Sequence, residues 1–347
     1  MADEMQLSGA ANEPGDVASK GFRLAWLDYV RGINILTVVF VHVWRGVVSA
    51  GITPPNAGVS LFLDTIASMA LFFFVSGMFI SKSVDLPFAS YLKLKAKDFV
   101  YPFVIWVTLH AILHSTAGGS VNIEHKLSDL WRAIYDPPWH YWFLYNLFFV
   151  QMLYFGIRRL KIPPAWFLAA SVIFFLSGDI AGLSIGPWGV LYQVRRYMLW
   201  FALGTLIDRG GPIRWLSAAP TALLATIVIL GAGTAAWAVS MGARDGYASL
   251  LPFTLLSASA SLSLAILLER GNLLRFIAAL GRRSLEVYLA HVIFLAMARI
   301  ALQRVLGIES LPVHLVIGML AGLYLPIGLY WASKRVGFPY LFSLKAR

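Results

Sequence analysis

Residues 27–48 read LDYVRGINILTVVFVHVWRGVV, a run of 22 residues, almost all apolar in its interior, that begins at Leu27 and ends at Val48. A bilayer core about 30 Å thick is crossed by roughly 20 apolar residues in a helix, so this run is long enough to span. Of its ionisable residues, Arg31 and His42 bracket the longest apolar stretch. Eleven positions at about 100° each amount to roughly three turns and 20°, which puts both side chains on one face. The helical rise separates them by about 16 Å along the axis. Asp28, three residues before Arg31, is placed to pair with it. A charge inside a membrane is costly, and each such residue raises a functional question. The alternative for these two is an Arg that snorkels to the surface and a His that packs on a hydrogen bond.

The composition extends the same reading to the whole chain. Of 347 residues 59% are hydrophobic and only 13% charged, and the mean hydropathy is +0.72. Soluble domains carry about 25% charged residues. This chain has too few charges to cover a water-facing surface, which excludes a secreted disulfide domain, a disordered chain and a nucleic-acid binder. There is no Cys, so thiolate chemistry and disulfides are excluded. The net charge of +11 is read as an excess of Lys and Arg on cytoplasmic loops.

Nine further apolar segments follow the first: Val59–Ile80, Phe99–Thr116, Trp142–Ile157, Ala165–Leu183, Val194–Ile207, Leu216–Ser240, Tyr247–Leu268, Ser284–Leu306 and Leu311–Trp331. Threading all ten with both termini inside places 19 of the 28 Lys and Arg on inner segments and seven on outer ones. That asymmetry supports an all-α integral membrane protein, a bundle of about ten transmembrane helices with both termini cytoplasmic. Residues 1–22 are expected to form a disordered cytoplasmic tail rather than a signal peptide, since no basic start precedes an apolar core. Residues 23–335 form the membrane domain and 336–347 a short basic cytoplasmic end.

Several local patterns recur in one known family. Leu27-Asp28-Tyr29-Val30-Arg31-Gly32 with a His eleven residues after the Arg resembles the opening of the acyltransferase-3 family. The chain also carries Phe72-Phe73-Phe74-Val75-Ser76-Gly77, Lys93-Leu94-Lys95-Ala96-Lys97 before Tyr101-Pro102, and Trp142-Phe143-Leu144. Arg196-Tyr197 with Phe201-Ala202-Leu203-Gly204, and Ser284-Leu285-Glu286-Val287-Tyr288-Leu289-Ala290-His291, complete the series. The likeness covers roughly residues 23–335. Many relatives have an Arg-x-x-Arg pair where this chain has lysines. The resemblance implies a multi-pass enzyme of the cell inner (cytoplasmic) membrane, similar to fucose 4-O-acetylase. Such an enzyme moves an acyl group, usually acetyl, from acyl-CoA to a sugar hydroxyl of an exopolysaccharide or other surface glycan. A stand-alone form without an appended esterase-like domain is expected. Acetyl-CoA is then a donor substrate, not a permanently bound cofactor. Its expected partners are a glycan or lipid-linked saccharide acceptor, membrane lipids and polysaccharide assembly machinery, with no nucleic acid. The competing class is a secondary transporter or flippase for a glycan or small anion, which often has an inverted repeat; none is evident here.

The acyltransferase reading assigns roles. His42 is the candidate base for the acceptor hydroxyl, with Arg31 on the same face at the inner surface. Arg31, Lys93, Lys95, Lys97, Arg282 and Arg283 are candidates for the phosphates of the donor, and plain positive-inside charge is the competing reading of the loop residues. A pantetheine arm threading along the first span would bring its thioester near His42. Asp64, His140, Tyr141, Trp142, Asn146, Arg195 and Arg196 lie outward and are candidates for the sugar. An interfacial aromatic belt is the alternative for the rings. His291, on the inner part of its span, is either a structural hydrogen-bond partner or an inner-site residue. His110 and His114 are four apart, but no carboxylate shares their span, and no metal is expected. Ser76-Gly77 reads as close helix packing rather than a nucleophile.

Overall fold

The computed structural model describes residues 24–344 apart from 57, 60–61, 64–67, 118–126, 139, 180–188, 208–211 and 241–246. The described residues are helical throughout, with no strand. The helices are α1 (Trp26–Ser49), α2 (Ser68–Met78), α3 (Ser81–Val84), α4 (Phe88–Lys95), α5 (Tyr101–Ala117), α6 (Trp142–Arg159), α7 (Pro164–Asp179), α8 (Gly189–Leu206), α9 (Pro212–Ala218), α10 (Thr221–Ser240), α11 (Tyr247–Arg270), α12 (Arg275–Arg282), α13 (Ser284–Ile300) and α14 (Leu311–Arg335). Stretches of π geometry at Ala96–Val100 and Ala301–Val305 join α4 to α5 and extend α13.

Among the described residues five helical stretches are long and apolar enough to cross a membrane: Trp26–Ser49, Phe88–Leu113, Leu250–Arg270, Ser284–Val305 and Leu311–Arg335. Shorter apolar helices include Met69–Met78, Pro164–Gly178 and Thr221–Thr234. Val104, Ile173, Ile229, Val316 and Leu320 are exposed in the middle of their helices. In water such a surface would be a liability; against lipid chains it is the expected outside of a multi-pass bundle.

The first span lies at the centre. α1 packs against α2, α11, α12, α13 and α14, and Ile35, Val38 and Val39 on it are fully or almost fully buried. One of its neighbours, α12, touches it backbone to backbone at two points, and glycine makes this possible. A Cβ on Gly281 would lie 1.8 Å from the Asp28 carbonyl oxygen, and one on Gly32 would lie 2.0 Å from that of Ile277. α2 and α8 meet the same way: a Cβ on Gly77 would lie 2.2 Å from the Phe201 oxygen and one on Gly204 2.1 Å from the Phe74 oxygen. The carboxamide of Gln151 donates to Ser76 Oγ at 2.8 Å. Ser76 and Gly77 are thus packing residues, as their context suggested.

These contacts predict an outcome. Gly281→Val should drive α12 off α1, at a cost of about 1–3 kcal/mol or more for overpacking. Gly328→Ala is the matched control, since a Cβ there meets nothing within 4 Å. Thermal unfolding of the two purified variants in detergent should show a lower midpoint for Gly281→Val alone.

Candidate active site

His42 occupies α1 three turns beyond Arg31, and the structure surrounds it with two further imidazoles. The ring centroid of His291, on α13, is 5.0 Å away, and that of His140, just before α6, is 5.8 Å away. His140 and His291 are 4.8 Å apart, and His110 on α5 stands 6.2 Å from His140. His110, His140 and His291 are buried. Among the described residues no group of three or more His, Asp or Glu is arranged to hold a metal ion. The side chain of His114 lies outside the described residues.

His291, expected in the inner part of its span, stands beside His42. Gly281 of α12 rests against Asp28 and Gly32 of α1. α13 begins at Ser284, and seven residues at 1.5 Å each carry His291 about 10 Å along it. His140 is tied to the same helix by a reciprocal pair of tyrosines. The Tyr288 hydroxyl donates to the His140 carbonyl, and the Tyr141 hydroxyl donates to the Leu289 carbonyl at 2.9 Å.

Tautomers follow from these partners. His291 Nδ1 lies 2.8 Å from the Tyr288 carbonyl and 3.1 Å from that of Val287. A carbonyl can only accept, so Nδ1 carries the proton and Nε2 presents a lone pair. Nε2 has no hydrogen-bond partner within the protein, and neither ring nitrogen of His140 has one. A neutral imidazole has one N–H, so His140 necessarily holds a buried donor and a buried acceptor in reserve.

A cavity of about 240 Å³ opens beside His42. Its lining includes His42, His140, Trp142, Tyr288, Gln193, Arg196, Tyr197 and Trp200, with Arg45 one turn beyond His42. Trp142 stacks on Tyr197 at 5.2 Å to form one wall, and buried Phe73 backs Tyr197 at 5.3 Å. Of the expected sugar residues, His140, Trp142 and Arg196 line this cavity. Tyr141 is instead turned to α13 as a clamp. Asn146 is fully buried on α6, its amide without a partner in the protein. Arg195 lies over the Tyr192 ring at 5.6 Å. Asp64 falls outside the described residues. Tyr288, Gln193, Trp200 and Arg45 were not singled out in the sequence, because nothing in their local context separates them from packing or loop residues.

At the other end of α1, Asp28 sits between two guanidiniums, Arg31 at 3.8 Å and Arg282 at 3.7 Å. This gathers two of the six expected phosphate ligands at one point. Arg283 turns elsewhere: it bonds Glu286 at 3.1 Å and covers the rings of Tyr330 and Trp331. Burial lowers the pKa of Arg283, hydrogen bonds to Tyr330 and Glu286 raise it, and the rise prevails. Lys95 is buried with its ammonium over Tyr91 at 5.2 Å, Lys93 is exposed and Lys97 half-buried. Between Arg31 and His42 the shared face of α1 is filled by Asn34, Ile35 and Val38, all buried. A donor arm that reaches His42 along this face has to part that packing.

The sequence model of the acyltransferase-3 family, described as an acyltransferase domain, matches residues 24–331. The chain belongs to the acyltransferase-3 family. No curated protein and no solved structure matches it significantly. The matched region of this acyltransferase runs from two residues before α1 into the last turns of α14, so both the histidine cluster and the Asp28–Arg31–Arg282 cluster fall within it.

Proposed function

We propose that the protein is a membrane O-acyltransferase that moves an acyl group, most simply acetyl, from acyl-CoA to a sugar hydroxyl of a surface glycan. The observation that carries this reading is the grouping of His42 with His140 and His291 beside a cavity, with Arg31 and Arg282 meeting Asp28 near the other end of α1. In this account the ten apolar segments all span the cell inner membrane, both termini are cytoplasmic, and the arginine end of α1 faces the cytosolic donor. The sugar enters the cavity from the outer side.

The chemistry balances with these residues alone. His42 takes the proton of the acceptor hydroxyl as its oxygen attacks the thioester carbonyl, and the C–O bond forms. The N–H that His140 holds in reserve is a donor for the tetrahedral oxyanion. The intermediate collapses, the C–S bond breaks, and the departing sulfur takes the proton from the His42 imidazolium to leave as the CoA thiol. The Nε2 lone pair of His291 can accept the other N–H of His42 and hold its ring for the transfer. His42 and the arginine cluster are about 16 Å apart along the helix, a span suited to a thioester arm between its phosphates and its reacting carbon.

The test is mass spectrometry of surface glycans from cells with and without the protein. An O-acyl group present only with the protein is expected; identical acylation of every glycan would refute the reading.

A further inference from the structure

Two buried carboxamides stand between the histidines and the arginines, and the acyl transfer step leaves both unused. Asn146 on α6 is completely buried, and neither its Oδ1 nor its Nδ2 has a hydrogen-bond partner within the protein. Asn34 on α1 is buried too, and its Nδ2 is likewise without a partner. Nearly all buried polar groups in folded proteins are hydrogen-bonded, and an orphaned one weakens the fold. Leu has almost the shape of Asn and would pack here without that penalty. The two amides also share a depth. Val38 and Trp142 line the cavity. Asn34 precedes Val38 by four residues of α1, and Asn146 follows Trp142 by four residues of α6, about 6 Å in each case. Both steps lead toward the arginine end. α6 runs beside α8 in the same direction, with Trp142 against Tyr197 and Tyr154 against Phe201 at 5.7 Å. Ser217 of α9, the helix after α8, accepts the indole N–H of Trp26 at the start of α1 at 3.0 Å.

The arm of an acyl-CoA is not a plain hydrocarbon. Pantetheine carries two secondary amides and a hydroxyl, and its second amide and hydroxyl lie just past the midpoint on the way from sulfur to phosphate. With the thioester at His42, Asn34 lies about 12 Å down the same helix and Arg31 about 16 Å. The two asparagines therefore stand at the level of the second amide. A trans amide is planar, with N–H and C=O directed to opposite sides. It needs an acceptor from one wall and a donor from the other. Asn146 Oδ1 on α6 and Asn34 Nδ2 on α1 supply that pair, and Asn146 Nδ2 is left for the hydroxyl.

Resting on the O-acyltransferase reading, we propose that Asn34 and Asn146 bind the pantetheine arm of the donor, holding its phosphate-proximal amide between α1 and α6 while the thioester reaches His42. A donor whose arm is only hydrocarbon would leave both side chains orphaned, so the pair selects for a pantetheine thioester.

Calorimetric titration of the purified protein with CoA and with 3′-phospho-ADP, which is the nucleotide half of CoA without its arm, tests this. The wild-type protein should bind CoA at least about tenfold more tightly than the nucleotide, the scale of the hydrogen bonds made to the arm. Asn34→Leu and Asn146→Leu should each weaken CoA by about tenfold and leave the nucleotide unchanged. Their thermal midpoints should not fall, because each replaces an orphaned polar group by an apolar one of similar shape. A structural role predicts the reverse, a lower midpoint with both ligands weakened together. Equal wild-type affinity for CoA and the nucleotide, unchanged CoA affinity in either variant, or equal weakening of the two ligands would overturn the proposal while leaving acyl transfer intact. A wild-type protein that binds neither ligand would remove the acyltransferase reading and the proposal with it.

Discussion

His42→Ala is expected to lower acyl transfer by about 10²–10⁴-fold, the usual contribution of a positioned general base. The protein should still insert and fold. Ala is a good helix former, and α1 is held by buried apolar residues and by the backbone contacts of Gly32 and Gly281 rather than by His42. His42→Gln sharpens the test. An amide can keep a hydrogen bond to the neighbouring imidazoles but cannot take up a proton at neutral pH, so this variant should fail as well. A histidine that merely packs between His140 and His291 would behave otherwise: Gln would be tolerated, and any loss would follow the amount of protein. Acyl content normalised to inserted protein separates the two. Activity near normal in His42→Gln would move the base to His140, which keeps an unpartnered acceptor nitrogen, or to His291 Nε2.

The second large effect is expected at the other end of the helix. Arg31→Ala should weaken binding of acyl-CoA by about 10–100-fold, as expected for loss of roughly 1.5–3 kcal/mol in a hydrogen bond between charged groups. Arg282→Ala should follow in the same direction, because both guanidiniums converge on Asp28. Arg283→Ala should not weaken the donor comparably, since its guanidinium is engaged with Glu286, Tyr330 and Trp331. Titration of the folded variants with CoA checks all three. Unchanged affinity in Arg31→Ala would remove the phosphate role from this cluster.

The parts legible in the sequence were those that depend on periodicity within one segment. Helix length, the shared face of Arg31 and His42, the Asp28–Arg31 pair and the packing role of Ser76-Gly77 all follow from local spacing. The rest of the site depends on how segments are offset along the bundle. His291 lies seven residues into its helix from Ser284, which by itself suggests the inner surface. His291 nevertheless stands beside His42, because the offset of α13 along α1 is set by packing between the segments and is invisible in the spacing of either. His140 ends a polar loop, and its descent to the cluster rests on the Tyr288 and Tyr141 bonds, each across 148 residues of chain. Nothing in the local sequence sets Arg45 apart, because lining a cavity is a property of several helices together. Asn146 lies on the fourth segment and Tyr141 in the turn before it, and neither lines the cavity. Single-segment reasoning fixes a residue's height more readily than the neighbour it faces.

In the proposed reaction the histidine cluster transfers an acyl group from CoA to a hydroxyl. The most direct test is purified, reconstituted protein supplied with acetyl-labelled acetyl-CoA and the cell's own surface glycan. The prediction is base-labile label on the glycan in an amount equal to the CoA thiol released, with neither product above background for His42→Ala that still binds CoA. No label on the glycan with the wild-type protein, or the same label with His42→Ala, would contradict it.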